Sequence, residues 1–203
     1  EADLLYWLYV ANGRGWYSRG STETLLDTDL NTVNRGGSIK DLIASVKQQF
    51  GRLEFAPEDF AGRAARSPLF SLVFLALKDG GAKDWQSGLE ISLTHSGRWH
   101  YIQFHHIFPK SLLKEKYEQK EINEIANMAF VAGKTNRKIS NKEPRVYLPE
   151  VIAARGDGAL TAQQVPLDPA LHAIDAFPAF LKIRRQMLAD RVNSFLKSVA
   201  AEG

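Results

Sequence analysis

The chain has 203 residues, with 26 basic and 23 acidic side chains, five histidines and no cysteine. A chain of this length buries roughly 70% of its unfolded surface, so a core forms without staples. The lack of cysteine excludes a disulfide scaffold, a Cys-ligated zinc finger, an iron–sulfur site and a cysteine nucleophile. A net charge of +3 is too mild to mark a nucleic-acid binder by itself, so the placement of the charge matters more than its sum.

The first third reads as helical. Leu4, Leu5, Trp7 and Leu8 give a short amphipathic pattern that Asn12-Gly13-Arg14-Gly15 interrupts. Ser38, with Asp41 three residues on, has the form of a capping box, and Leu42, Ile43, Val46 and Phe50 make one face up to the stop at Gly51. Ser67-Pro68 opens a further helix. Its run over residues 69–77 is apolar on all sides, which places it mid-core, and Gly80-Gly81 ends it.

The period then changes. Leu89, Ile91 and Leu93 alternate with polar residues as in a strand, Ser96-Gly97 signals a turn, and residues 99–104 read as a second strand. Pro109 begins a short helix through Tyr117. Residues 128–132 form a short apolar run suited to a buried strand, and residues 134–141 suit a short polar helix after Gly133. Pro178 opens a long helix whose stripe of Phe180, Leu181, Met187, Leu188, Val192, Phe195 and Leu196 lies opposite Lys182, Arg184, Arg185 and Arg191.

Four of the five histidines fall at His95, His100, His105 and His106. Taken singly, each reads as an ordinary strand residue. Likewise Asn127 alone reads as a cap or strand start, and Asn136 as a surface residue of a polar helix. What changes the weighing is their order: Phe104-His105-His106-Ile107-Phe108-Pro109, then Asn127-Met128-Ala129-Phe130-Val131, then Lys134-Thr135-Asn136-Arg137-Lys138. A strand ends in a histidine pair, a strand begins with Asn, and a polar helix carries a second Asn.

This order resembles the HNH, or His-Me finger, nucleases. More closely, the tracts Glu121-Ile122-Asn123-Glu124, Ile139-Ser140-Asn141 and Tyr147-Leu148-Pro149-Glu150, with Trp16-Tyr17-Ser18 and Thr24-Leu25-Leu26-Asp27 near the start, resemble the C-terminal domain of GmrSD-type restriction endonucleases, bacterial anti-phage enzymes. The resemblance implies an α+β fold, mainly helical, in which a helical domain frames a small ββα-metal element. We divide the chain accordingly into a helical region at 1–85, a β-hairpin plus ββα element at 86–145, and C-terminal helices at 146–203 that pack on the first region, giving one compact domain.

By position, the resemblance implies His106 as the base that activates water, Asn127 as the residue that orients it, and His105 and Asn136 as ligands of one divalent metal ion. His105 stands where the family usually has Asp. That substitution weakens the case for Mg²⁺ relative to Mn²⁺, with Ni²⁺ or Zn²⁺ as further options, because imidazole suits softer cations. Adjacent strand residues point to opposite faces, so His105 and His106 can share a site only if the strand ends there and the backbone turns.

The implied partner is DNA, contacted by Arg137, Lys138, Lys134 and Lys110. Residues 134–145 carry five basic side chains against one acid, a net +4, which leaves the rest of the chain at −1. The local excess therefore lies beside Asn136, where a phosphate backbone would approach.

The resemblance further implies an N-terminal ParB-like nucleotide-handling domain in a longer protein. The start at Glu1 rather than Met fits a processed or excised piece. The longest apolar run is too short for a membrane span, and the N-terminus lacks a basic signal-peptide start, so we expect a cytoplasmic protein with no membrane partner.

Two alternatives stay open. One is a DNA-binding module that is catalytically silent without the missing N-terminal domain. The other is a structural zinc site built from His95, His100, His105 and His106.

Overall fold

The computed structural model describes residues 1–18, 22–93 and 102–201. It is mainly helical with a two-stranded antiparallel sheet. In chain order the helices and strands are α1 (Ala2–Arg14), α2 (Thr22–Asn34), α3 (Ile39–Phe50), α4 (Pro68–Asp79), β1 (Ile102–His106), α5 (Lys110–Leu113), α6 (Gln119–Ile122), β2 (Met128–Ala132), α7 (Gly133–Ile139), α8 (Pro144–Arg155), α9 (Gly158–Thr161) and α10 (Phe177–Ala201).

Local chemistry sets several boundaries. Gly15 adopts a left-handed φ of 68° and returns its N–H to α1 carbonyls, a conformation that costs a glycine little. The Ser38 amide donates to the Asp41 carboxylate at 2.7 Å, which opens α3 and holds the Asp41 carboxyl below its usual range. Ser67 Oγ accepts from the Leu69 amide at the head of α4, and Pro68 occupies a position where no N–H is needed.

The apolar helix α4 sits at the centre, as its composition requires, and packs against α1 and α10. The face that α1 buries is Val10, Ala11 and Gly13. The expected apolar face is wrong here: Leu4, Leu5 and Leu8 are 46%, 39% and 48% exposed. α4 takes only the end of α1 where glycine permits close approach; a Cβ on Gly13 would lie 2.5 Å from the Leu72 side chain.

The strand expected from Leu89, Ile91 and Leu93 does not form. A single bridge joins Lys83 to Glu90, Ile91 is buried, and Leu93 is 78% exposed. The alternation therefore reports one anchoring residue in an irregular segment. The Ser96-Gly97 turn, Trp99 and the histidines His95 and His100 lie outside the described residues, whereas Ile102 onward is strand as expected. The helix after Pro109 closes at Leu113, short of Tyr117.

β2 is buried at every position. Its Phe130 ring meets Phe70 and Phe74 of α4 at 5.0 and 5.1 Å. The edge of β2 away from β1 is closed by side chains. The Gln163 amide accepts from the Phe130 N–H at 2.8 Å and donates to its carbonyl, and Asp84 accepts from the Ala132 N–H at 2.7 Å. These groups satisfy strand donors and acceptors that a third strand would otherwise take.

The long helix α10 corrects another expectation. Arg184 is buried rather than solvated opposite the apolar stripe. Its guanidinium donates to the carbonyls of Ala126, Gln163 and Gln164 at 2.8–3.0 Å, and burial lowers its pKa to about 9. Arg185 pairs through two nitrogens with the buried Glu124, which also accepts from the Gly62 amide. Neighbouring cations on α10 thus tie down the segment that leads into β2.

Candidate active site

β1 and β2 pair antiparallel with His105 opposite Ala129 and His106 opposite Met128, and α7 packs on both strands. β1 ends at His106, and the chain bends at Ile107 and Phe108. The expected end of the strand is present.

Strand alternation still separates the two imidazoles. The His106 ring lies 6.0 Å from Phe104, whose own ring meets Phe70 at 5.8 Å. His105 faces the other way, between Trp85 and Tyr147 at 6.2 and 5.7 Å. On that face the structure joins His105 to Asn136. The His105 Nδ1–H donates to Asn136 Oδ1 at 2.8 Å, and Asn136 Nδ2 donates to Gln103 Oε1 at 2.8 Å. No hydrogen bond or ring contact links His106 to that pair among the described residues.

The bond to Asn136 fixes the His105 tautomer and leaves Nε2 with its lone pair. That atom is buried and has no hydrogen-bond partner. Burial lowers the His105 pKa, and the Asn136 bond offsets part of this. His106 Nε2 is also buried and unpartnered. The His106 pKa falls to about 4, first through burial and then through the Lys110 charge, against the opposing effect of a hydrogen bond with Asn123. At neutral pH both rings are uncharged.

Asn127 is completely buried and touches backbone rather than the His106 ring. Its Oδ1 accepts from Phe108 N at 2.9 Å, its Nδ2 donates to Phe108 O at 3.1 Å and Ile122 O at 2.9 Å, and its carbonyl accepts from Ile107 N at 2.8 Å. The Asn127 side chain thus grips the bend directly after His106 and makes no bond to its ring.

Lys110, Lys134, Arg137 and Lys138 are all exposed. Within the basic window, Lys142 pairs with Glu150 at 3.3 Å and Arg145 with Glu143 at 2.6 Å. The excess charge is therefore concentrated on α7 itself. His172 is structural, buried with Nε2 2.8 Å from Pro166 O.

Three side chains at the site were not found by sequence reasoning. Asp84 accepts from Ala132 N, Thr135 Oγ1 and the Ser87 N–H and hydroxyl, and these bonds hold its carboxyl below the usual range despite burial. It pins the head of α7 and so fixes Asn136. The signal was Asp84 with Ser87 three residues on, an Asx-turn pattern. Tyr147 walls His105 and donates to Ile107 O at 3.0 Å. Gln103 holds the Asn136 amide, and only strand alternation could have pointed to it.

A divalent cation can be tested against this donor set. The pair does not converge on one ion as it stands: Asn136 Oδ1 is taken by the Nδ1 side of the ring, whereas the unpartnered nitrogen is Nε2 on the far side, and that imidazole nitrogen suits a borderline cation better than Mg²⁺. Among the described residues, no group of three or more His, Cys, Asp or Glu side chains could hold a metal; the zinc site of His95, His100, His105 and His106 falls in part outside those residues.

Two antiparallel strands, a following helix and a His–Asn pair between them define the site. Residues 57–148 match the family of GmrSD restriction endonucleases, C-terminal domain, which supports the family read from the motifs; this span holds His105, His106, Asn127 and Asn136. The chain is also similar to an uncharacterized protein, MJ0686, of Methanocaldococcus jannaschii, at 25% identity over 166 residues. That likeness covers 78% of this chain and 26% of the relative, so the chain spans about a quarter of the length of the curated protein it matches. No solved structure matches the chain. No helix among the described residues is long and apolar enough to cross a membrane.

Proposed function

We propose that this chain is an HNH endonuclease domain that hydrolyses DNA phosphodiester bonds in bacterial anti-phage restriction. The observation that carries the reading is the His105–Asn136 hydrogen bond from β1 to α7, with His106 at the end of the same strand. His105 would hold one divalent metal ion, Mn²⁺ in preference to Mg²⁺, and Asn136 would join it on that ion only by giving up its bond to the His105 ring. When bound, that ion supplies positive charge for the phosphate and leaving oxygen.

His106 is the general base; its ring stands on the opposite face of β1 from the His105–Asn136 pair in this conformation, so the strand end must turn before its Nε2 can take a proton from water at the same phosphate. A phosphodiester anion beside the ring raises its low pKa toward the working range. Asn127 holds the bend at Ile107 and Phe108 and so sets where the His106 ring stands. Lys134, Arg137, Lys138 and Lys110 supply charge to the DNA backbone. The rest of a longer protein, including a ParB-like domain, would supply nucleotide handling, and the protein would act in the cytoplasm.

The test is plasmid nicking by purified protein with Mn²⁺. Activity should vanish with EDTA and with His106→Ala. Equal activity in that variant refutes the assignment.

One observation favours a second reading. His106 Nε2 is buried in this conformation, so water and substrate reach it only after the site opens. A module that binds DNA and stays silent without its partner domain would give a salt-dependent mobility shift and no nicking with any metal.

A further inference from the structure

We propose that the groove between α7, α8 and the turn at Trp85 and Gln86 is a binding site for a nucleoside 5′-phosphate. This deepens the nuclease reading and rests on it only for the case in which the nucleotide belongs to a DNA strand.

The groove has a volume of about 440 Å³, within the range that encloses a small ligand. Its walls are of two kinds. Ile139, Val151 and Ala154, with edges of Trp85 and Tyr147, form an apolar slot suited to a flat heterocycle. Lys138 and Lys142 stand on one lip and Arg155 on the other, against a single acid, Glu150. Lys138 has no acidic partner among the described residues, whereas Lys142 is held by Glu150 at 3.3 Å. A ligand that joins an aromatic ring to an anion matches this division.

Gln86 narrows the class. Its Oε1 is buried without a hydrogen-bond partner on a side chain that lines the groove. A buried unsatisfied acceptor is costly, so a turn of the Gln86 side chain that brings Oε1 into the groove to meet an N–H donor on a ligand removes the cost. The exocyclic amine of adenine, cytosine or guanine is such a donor, as is the ring N–H of guanine, thymine or uracil, and AMP serves as the probe that carries the amine alone.

The wall that carries Gln86 is also held in place. Arg155 donates to the Gln86 carbonyl across the groove, and Asp84 accepts from the Gln86 amide at 3.2 Å. The groove adjoins the candidate active site through Trp85 and Tyr147, whose rings flank His105. A nucleotide seated here would therefore lie behind the His105–Asn136 pair, on the α7 side that carries the positive charge.

The shared chemistry has two sources, a free nucleotide or a nucleotide turned out of a strand, and the experiment separates them. Calorimetric titration of the metal-free full chain with AMP should give a Kd of about 1 mM or tighter. Purine riboside 5′-monophosphate, which lacks only the amino group, should bind at least tenfold more weakly, as should AMP to Gln86→Leu. Ala154 is exposed, so Ala154→Trp fills the slot without disturbing the core, and retained helical circular dichroism checks that.

If Ala154→Trp weakens both AMP and a single-stranded decanucleotide at least tenfold, the site takes a strand nucleotide. If it weakens AMP alone, the site takes a free nucleotide. Both outcomes support the proposal. AMP binding that is absent, or unchanged by Ala154→Trp, overturns it. Parent protein that binds AMP as expected but does not nick plasmid with any metal counts against the nuclease reading alone.

Discussion

Replacing Asn127 with Ala should unfold the site before it unfolds the chain. The Asn127 side chain makes three hydrogen bonds from a fully buried position, one from Phe108 N and two to the carbonyls of Phe108 and Ile122. A net hydrogen bond contributes about 1 kcal/mol, and each buried partner left unsatisfied costs about 1–3 kcal/mol. Three bonds lost together should therefore destabilise the protein by about 3–5 kcal/mol, unless water enters the vacated space. Urea denaturation followed by circular dichroism reads this as a lower midpoint at an unchanged slope. In the fraction that stays folded, nicking should fall at least tenfold, because the bend after His106 loses its clamp. Asn127→Asp should not rescue, since its carboxylate would face two carbonyls that need a donor. Destabilisation below about 1 kcal/mol, with nicking intact, would refute the view that Asn127 positions His106 through the backbone.

Two further outcomes follow from the buried cations and histidines. In metal-free protein, His105 and His106 are held uncharged in the fold, with His106 at about 4, while the unfolded chain takes up protons near 6.5. The unfolded state then binds more protons between these values, so stability should be full above about pH 6.5 and fall as pH drops toward 4; urea midpoints across that range test it, and His106→Gln should flatten the curve. Arg184→Lys should destabilise nearly as much as Arg184→Ala, by about 3–5 kcal/mol, because one ammonium cannot reach the three carbonyls that the guanidinium serves. A thermal scan showing Lys at parental stability would mean that charge alone suffices there.

The sequence by itself determined what depends on neighbours along the chain. The helix starts at Ser38 and Ser67-Pro68 and the stops at Gly15 and Gly51 rest on local hydrogen bonds and dihedral preferences. The apolar runs at 69–77 and 128–132 could only be interior, and they became the central helix and the buried strand. The order of His105, Asn127 and Asn136 along the chain matched the order of β1, β2 and α7, while the strand register came from the structure.

Only tertiary structure decided which apolar residues found a partner and how polar groups were shared. Leu4 and Leu8 have the pattern of a core face, but α4 meets α1 further along, where Gly13 lets the helices approach. Arg184 reads as solvated until the carbonyls of Ala126, Gln163 and Gln164, distant in sequence, converge on it. Asp84 and Gln163 stand in for a missing strand, which no periodicity within either segment could reveal. At the site, sequence order brought His105 and Asn136 to one face. That Asn127 grips backbone, and that Tyr147 closes the wall, follows from long-range packing, where the free energy lies in contacts the chain makes only once folded.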